Sequence, residues 1–134
     1  MQRVVSITGF KKTGKTTLIE GLTGELKRRG RRVGVIKHTL RPYPIDTPRK
    51  DTWRYREAGA QASALLTPKE TAFFFHQPME VNEALRLLSS LDLVLLEGFK
   101  ELDRVPRIIV AQTLEEVEQL KNGLEIAITG KIAG

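Results

Sequence analysis

The 134-residue sequence has no cysteine, which excludes a disulfide framework and any cysteine-based zinc or redox site. It has two histidines, too few to build a transition-metal centre. No stretch approaches the ~20 apolar residues that a membrane helix requires, and "MQRVVSITG" reads as a short strand rather than a signal peptide. A cytoplasmic protein is therefore expected. Internal repeats, low-complexity tracts and linkers are also missing, so one domain spanning 1–134 is expected, long enough to bury its own core. Forty per cent hydrophobic residues and 28% charged ones argue against disorder.

The net charge of +6 is unevenly distributed. Residues 1–56 carry 15 Lys/Arg against 4 Asp/Glu (+11), whereas residues 57–134 carry 7 against 12 (−5). A basic first half attracts phosphorylated molecules. "KRRGRR" at 27–32 reads as a helix end stopped by Gly30, because no aromatics are interleaved for base stacking. Nucleic acid is accordingly not the expected partner.

Strand-like and helix-like patterns alternate. "RVVSIT" is a short strand, and Leu18, Leu22 and Leu26 mark one face of a helix from Lys15 to Arg29. "RRVGVIKH" is a second strand, followed by a proline-bearing loop in which Thr47 caps a helix begun by Pro48. "SALLT" and "TAFFFH" are of strand length, and Pro78 opens a helix bearing Val81, Ala84, Leu85 and Leu88. "LDLVLLEGF" has the unbroken apolar run of a strand buried on both faces. "PRIIVAQ", a helix opened by a Thr113–Glu116 capping box, and "EIAITG" complete the chain. This alternation predicts an α/β sandwich around a mostly parallel sheet.

Gly9-Phe10-Lys11-Lys12-Thr13-Gly14-Lys15-Thr16 matches G-x-x-x-x-G-K-[ST] between a strand and a helix. Its glycines let successive N–H groups turn toward phosphate oxygens, and the helix N-terminus adds its dipole. Lys15 is placed for the β- and γ-phosphates, Thr16 for Mg²⁺ and Thr17 for the α-phosphate. The fold class is then a P-loop NTPase-type three-layer sandwich. Glu97, after "LVLL", is the expected acidic metal partner, and Gly98 allows close backbone approach. Asp92 lies at the opposite end of that strand. The loop after the second strand holds Lys37, His38, Asp46, Lys50, Asp51 and Arg54, with Asp46 or Asp51 available to complete a metal shell. His38 reads either as a phosphate or acid–base group or as a structural strand-end residue.

The run "GKTTLIEGL", "VGVIKH", Lys50-Asp51-Thr52-Trp53-Arg54 with Ala58-Gly59-Ala60, and "EGFK" at 97–100 follow in order. With these the chain resembles the molybdopterin-guanine dinucleotide biosynthesis protein B family over roughly residues 3 to 111. The resemblance implies binding of GTP with Mg²⁺, weak hydrolysis, a homodimer, and support of a partner guanylyltransferase that joins GMP to molybdopterin. Two departures stand out. Thr39-Leu40-Arg41-Pro42-Tyr43-Pro44 replaces the His and Asp residues that family members carry after "KH". The terminal "AITGKIAG" has no carboxylate to read guanine. Two other readings compete: a P-loop small-molecule kinase, against which the lack of an Arg-rich lid insertion counts, and a basic nucleic-acid-binding domain.

Overall fold

The computed structural model describes residues 2–99 and 102–131. Its elements, in chain order, are β1 (Arg3–Thr8), α1 (Lys15–Arg28), β2 (Val33–Lys37), α2 (Asp51–Glu57), β3 (Ala62–Leu66), β4 (Thr71–Phe75), α3 (Val81–Leu87), β5 (Leu93–Glu97), β6 (Arg107–Val110), α4 (Leu114–Leu120) and β7 (Glu125–Thr129). The chain divides into two compact units, one of residues 1–39 and 85–134, the other of residues 40–84.

The first unit is a five-stranded sheet in the order β2-β5-β1-β6-β7, and every pairing in it is parallel. β1 is therefore the middle strand, with β5 on one side and β6 on the other. A strand covered on both faces needs apolar residues throughout, which accounts for the unbroken "LVLL" of β5. Ile7, Leu95 and Val110 pack with Ile19 of α1 on one face of the sheet, joined by the half-buried Leu18 and Leu22. Ile109, Ala111, Val117 and Leu120 form a second cluster with α4. Each fully buried Ile, Leu or Val side chain among these contributes about 1.5–3 kcal/mol. At the entering ends of β2 and β5, the Arg32 N–H donates to Asp92 Oδ2 at 2.7 Å. Asp92 thus fastens two strands together at the opposite end from Glu97.

α4 begins as its capping box requires. Thr113 Oγ1 accepts from the Glu116 N–H at 3.2 Å. Glu116 Oε2 reaches back one residue further than expected, to the Gln112 N–H at 2.5 Å. The start of α2 is a correction. Thr47 and Pro48 do not open the helix, because Arg49 adopts a left-handed φ of 70° and interrupts it; Lys50 is the N-cap. α3 likewise starts at Val81, three residues after Pro78.

The second unit holds α2 and an antiparallel ribbon of β3 and β4. Three consecutive phenylalanines in one strand put apolar rings on both of its faces, which would ordinarily be covered. Instead Phe73 is 63% and Phe75 43% exposed, and only Phe74 is half-buried. The reason is local: Thr67–Glu70 closes a tight turn, its Thr67 hydroxyl accepting from the Lys69 and Glu70 N–H groups. A turn this short pairs β4 with β3 directly.

Candidate functional site

The glycine-rich loop leaves β1 at Gly9 and enters α1 at Lys15. A Cβ at Gly9 would lie 2.5 Å from the Val110 carbonyl oxygen and 2.8 Å from Thr13 Oγ1, so the position admits only glycine without displacing backbone. Lys12 and Gly14 take left-handed conformations, φ 60° and 97°, and curl the intervening chain. The Thr13 hydroxyl donates to the Phe10 carbonyl at 2.8 Å and ties the curl across its neck. Gln112, just beyond β6, donates to the Lys12 carbonyl at 3.2 Å and anchors the tip. Pattern matching missed Gln112. Its position after the carboxyl end of the neighbouring strand was the available signal.

α1 opens without a side-chain cap and without an acidic residue in its first turn. Helices usually satisfy those first N–H groups with a capping side chain. Here the uncapped end follows a curled loop carrying Lys11, Lys12 and Lys15, the arrangement that favours an anion. Lys15 is half-buried rather than extended into solvent. Its Nζ folds back over the loop and donates to the Gly9 carbonyl at 2.7 Å and the Phe10 carbonyl at 3.4 Å. Thr16 and Thr17 are exposed on the first turn.

Glu97 ends β5 directly beside this loop. In the parallel register it pairs with Ile7 of β1 on one side and with Lys37 of β2 on the other. The residue is 8% exposed and its carboxylate accepts no hydrogen bond from a described residue, but its oxygens are not sealed from water as Asp46 Oδ2 is. Beyond it, Gly98 has φ +88°, and a Cβ there would lie 2.7 Å from the His38 carbonyl oxygen. The His38 N–H donates to the Glu97 carbonyl at 2.8 Å. The left-handed turn at Gly98 breaks the strand's alternation, and Phe99 stacks on the His38 ring at 5.1 Å and 27°. His38 is thus engaged structurally at the strand ends.

The residues that sequence reasoning selected are divided between the two units. Gly9 through Thr17, Glu97 and Gly98 all belong to the first. Asp46 belongs to the second, where Oδ1 accepts from the Thr47 N–H at 2.8 Å and Oδ2 is buried with no partner among the described residues. Lys100, the last residue of "EGFK", lies outside the described residues. Among the described residues no three His, Cys, Asp or Glu side chains gather as a metal cluster. Magnesium requires no such cluster, since it takes one or two protein oxygens and completes its shell with water and phosphate. Thr16 and Glu97 are donors of that kind.

The family model for molybdopterin guanine dinucleotide synthesis protein B matches residues 4–129. The chain belongs to that family. A putative molybdopterin-guanine dinucleotide biosynthesis adapter protein of Methanocaldococcus jannaschii is 40% identical over 113 residues, covering 81% of this chain and 47% of that protein. The adapter protein of Haemophilus influenzae is 38% identical over 80% of this chain and 62% of its own length. For the Escherichia coli protein the values are 34%, 80% and 64%. This chain therefore spans about half to two-thirds of the length of these relatives. Among solved structures, Bacillus subtilis MobB superposes with a TM-score of 0.80 at 29% identity, covering 94% of this chain and 78% of that one. The family match includes the loop, β5 and the ends of β2 and β6, so the whole of the site geometry above falls within it.

Proposed function

We propose that this family member is a GTP-binding adapter of molybdenum-cofactor maturation, a weak Mg²⁺-dependent GTPase that assists a partner guanylyltransferase in the cytoplasm. The observation that carries the reading is the pairing of an uncapped helix start and its three lysines with the Glu97 carboxylate, which no described residue engages, at the end of the adjoining strand. The loop amides, Lys15 and Thr17 hold the phosphates. Thr16 and Glu97 hold the metal, which neutralises phosphate charge when bound. Gly9 and Gly98 keep the backbone low enough for that approach. The similarity to molybdopterin-guanine dinucleotide biosynthesis adapter proteins supports the pathway, and the loop geometry supports a bound nucleoside phosphate. The exposed Phe73 and Phe75 on the β3–β4 ribbon supply a reason for the chain to form a homodimer.

Isothermal titration with GTP, GDP and ATP, with and without Mg²⁺, tests the nucleotide reading. The expected outcome is Mg²⁺-dependent GTP binding that disappears in Lys15→Ala. Removing the two Lys15 hydrogen bonds to loop carbonyls should cost about 1 kcal/mol of stability, so the variant remains folded. Undiminished GTP affinity in folded Lys15→Ala would reject the site.

A further inference from the structure

Lys37 is the last residue of β2, and nothing in the nucleotide reading uses it. The register Ile7–Glu97–Lys37 runs straight across three neighbouring strands. Residues paired in a parallel ladder project from the same face. For this row the face is settled, because Ile7 packs on Ile19 of α1, and Leu95, Val5 and Val33 of the same alternation line that cluster. Lys37 and Glu97 therefore rise on the side of the sheet that carries α1, at the carboxyl ends of the strands. The glycine-rich loop turns into α1 at that same end.

Two further observations define the role. Lys37 and Glu97 are cross-strand neighbours, with backbones about 4.8 Å apart. Opposite charges on neighbouring strands gain from pairing, yet Lys37 is exposed and no described residue forms an ion pair or hydrogen bond with its ammonium. Meanwhile the end of β2 is fastened by other means. The His38 N–H bond to Glu97, the close approach of Gly98 to the His38 carbonyl, and the His38–Phe99 stack all hold it. A firmly held strand end thus presents one uncommitted cation on a flexible stem, on the outer flank of the metal carboxylate.

We infer that Lys37 is a second phosphate-binding cation, contacting the terminal phosphoryl group of a nucleoside triphosphate from the side opposite Lys15. The inference rests on the nucleotide reading proposed above. Thr16 and Glu97, if they hold a metal, would place the end of the phosphate chain near β5, and β2 is the next strand outward. Lys15 approaches from the loop, so the two lysines flank the charge that a diphosphate lacks. Lys37 thereby reads phosphate number, a distinction the loop amides alone make poorly because they also meet the α- and β-phosphates.

The test compares Lys37→Ala and Lys37→Arg with the unaltered protein, measuring affinity for GDP and for a non-hydrolysable GTP analogue in Mg²⁺. Losing one charge-assisted contact should weaken triphosphate binding about tenfold while leaving diphosphate binding within roughly twofold. Lys37→Arg should recover most of the loss, and thermal stability should be unchanged in both variants. Equal weakening for both nucleotides would show a general field effect and overturn the inference. No weakening would reduce Lys37 to an edge-strand lysine that blocks sheet extension, and would overturn it equally. If Lys15→Ala abolishes binding while Lys37→Ala does not alter it, only the Lys37 inference fails. If the unaltered protein binds neither nucleotide, the nucleotide reading fails first and takes this inference with it.

Discussion

Glu97 is a mostly buried residue beside the loop whose carboxylate accepts no hydrogen bond from a described residue, while its oxygens are not sealed from water. A divalent cation with its waters would suit that opening. Glu97→Gln keeps the shape and removes the charge, so Mg²⁺ affinity of the nucleotide complex should fall by roughly tenfold or more while metal-free nucleotide binding persists. Titration of Mg²⁺ into the GTP complex reads this directly, and an unchanged affinity would make Glu97 a strand-end residue only. Glu97 was legible in sequence because a carboxylate after "LVLL" falls at the end of a buried strand. Lys15's bonds to Gly9 and Phe10 were not legible, because they depend on left-handed backbone at Lys12 and Gly14 that a pattern of residue types does not reveal. Gln112 was hidden for a related reason: its target, the Lys12 carbonyl, is distant in sequence and carries no side-chain signature.

At the scale of elements, strands and helices were legible wherever local chemistry and burial agree. β1, β5 and α4 follow their apolar spacing and, for α4, its capping hydroxyl. Disagreement arises at α2, where a sound cap-and-proline signal is overridden by the left-handed Arg49, and at β4, whose apolar content suggested burial it does not have. Sheet order was beyond local reasoning altogether, since β1 pairs with strands far along the chain. One element contact is sensitive to acid. The Arg32 backbone N–H, helped by its guanidinium, holds the Asp92 carboxyl below its ordinary value. A depressed carboxylate stabilises the fold above its unfolded pKa of about 3.9 and loses that contribution as pH falls through the folded value. Asp92→Asn should therefore lower the melting temperature slightly at pH 7, and the difference should shrink below about pH 4. Melting curves across pH 2–7 check this, and a difference independent of pH would assign the effect to geometry alone.

For the whole molecule, one property follows from what the surface offers. Leu66, Phe73 and Ile45 are 73%, 63% and 72% exposed, all in residues 40–84, apolar surface of a kind that a partner covers. A dimeric mass at micromolar concentration is expected, and a monomeric one would reject the homodimer. The sheet order also governs how the chain is made. β1 leaves the ribosome before either of its neighbours, so Ile7 waits for Glu97 and Thr8 for Ile109 before the two edges of that strand are paired. Such remote pairing is slow to close, and until it closes the apolar faces of β1 and α1 lie open to other chains. The strand that leads into the glycine-rich loop is thus synthesised long before it can be completed, and the loop takes its final setting only once translation has delivered both neighbours.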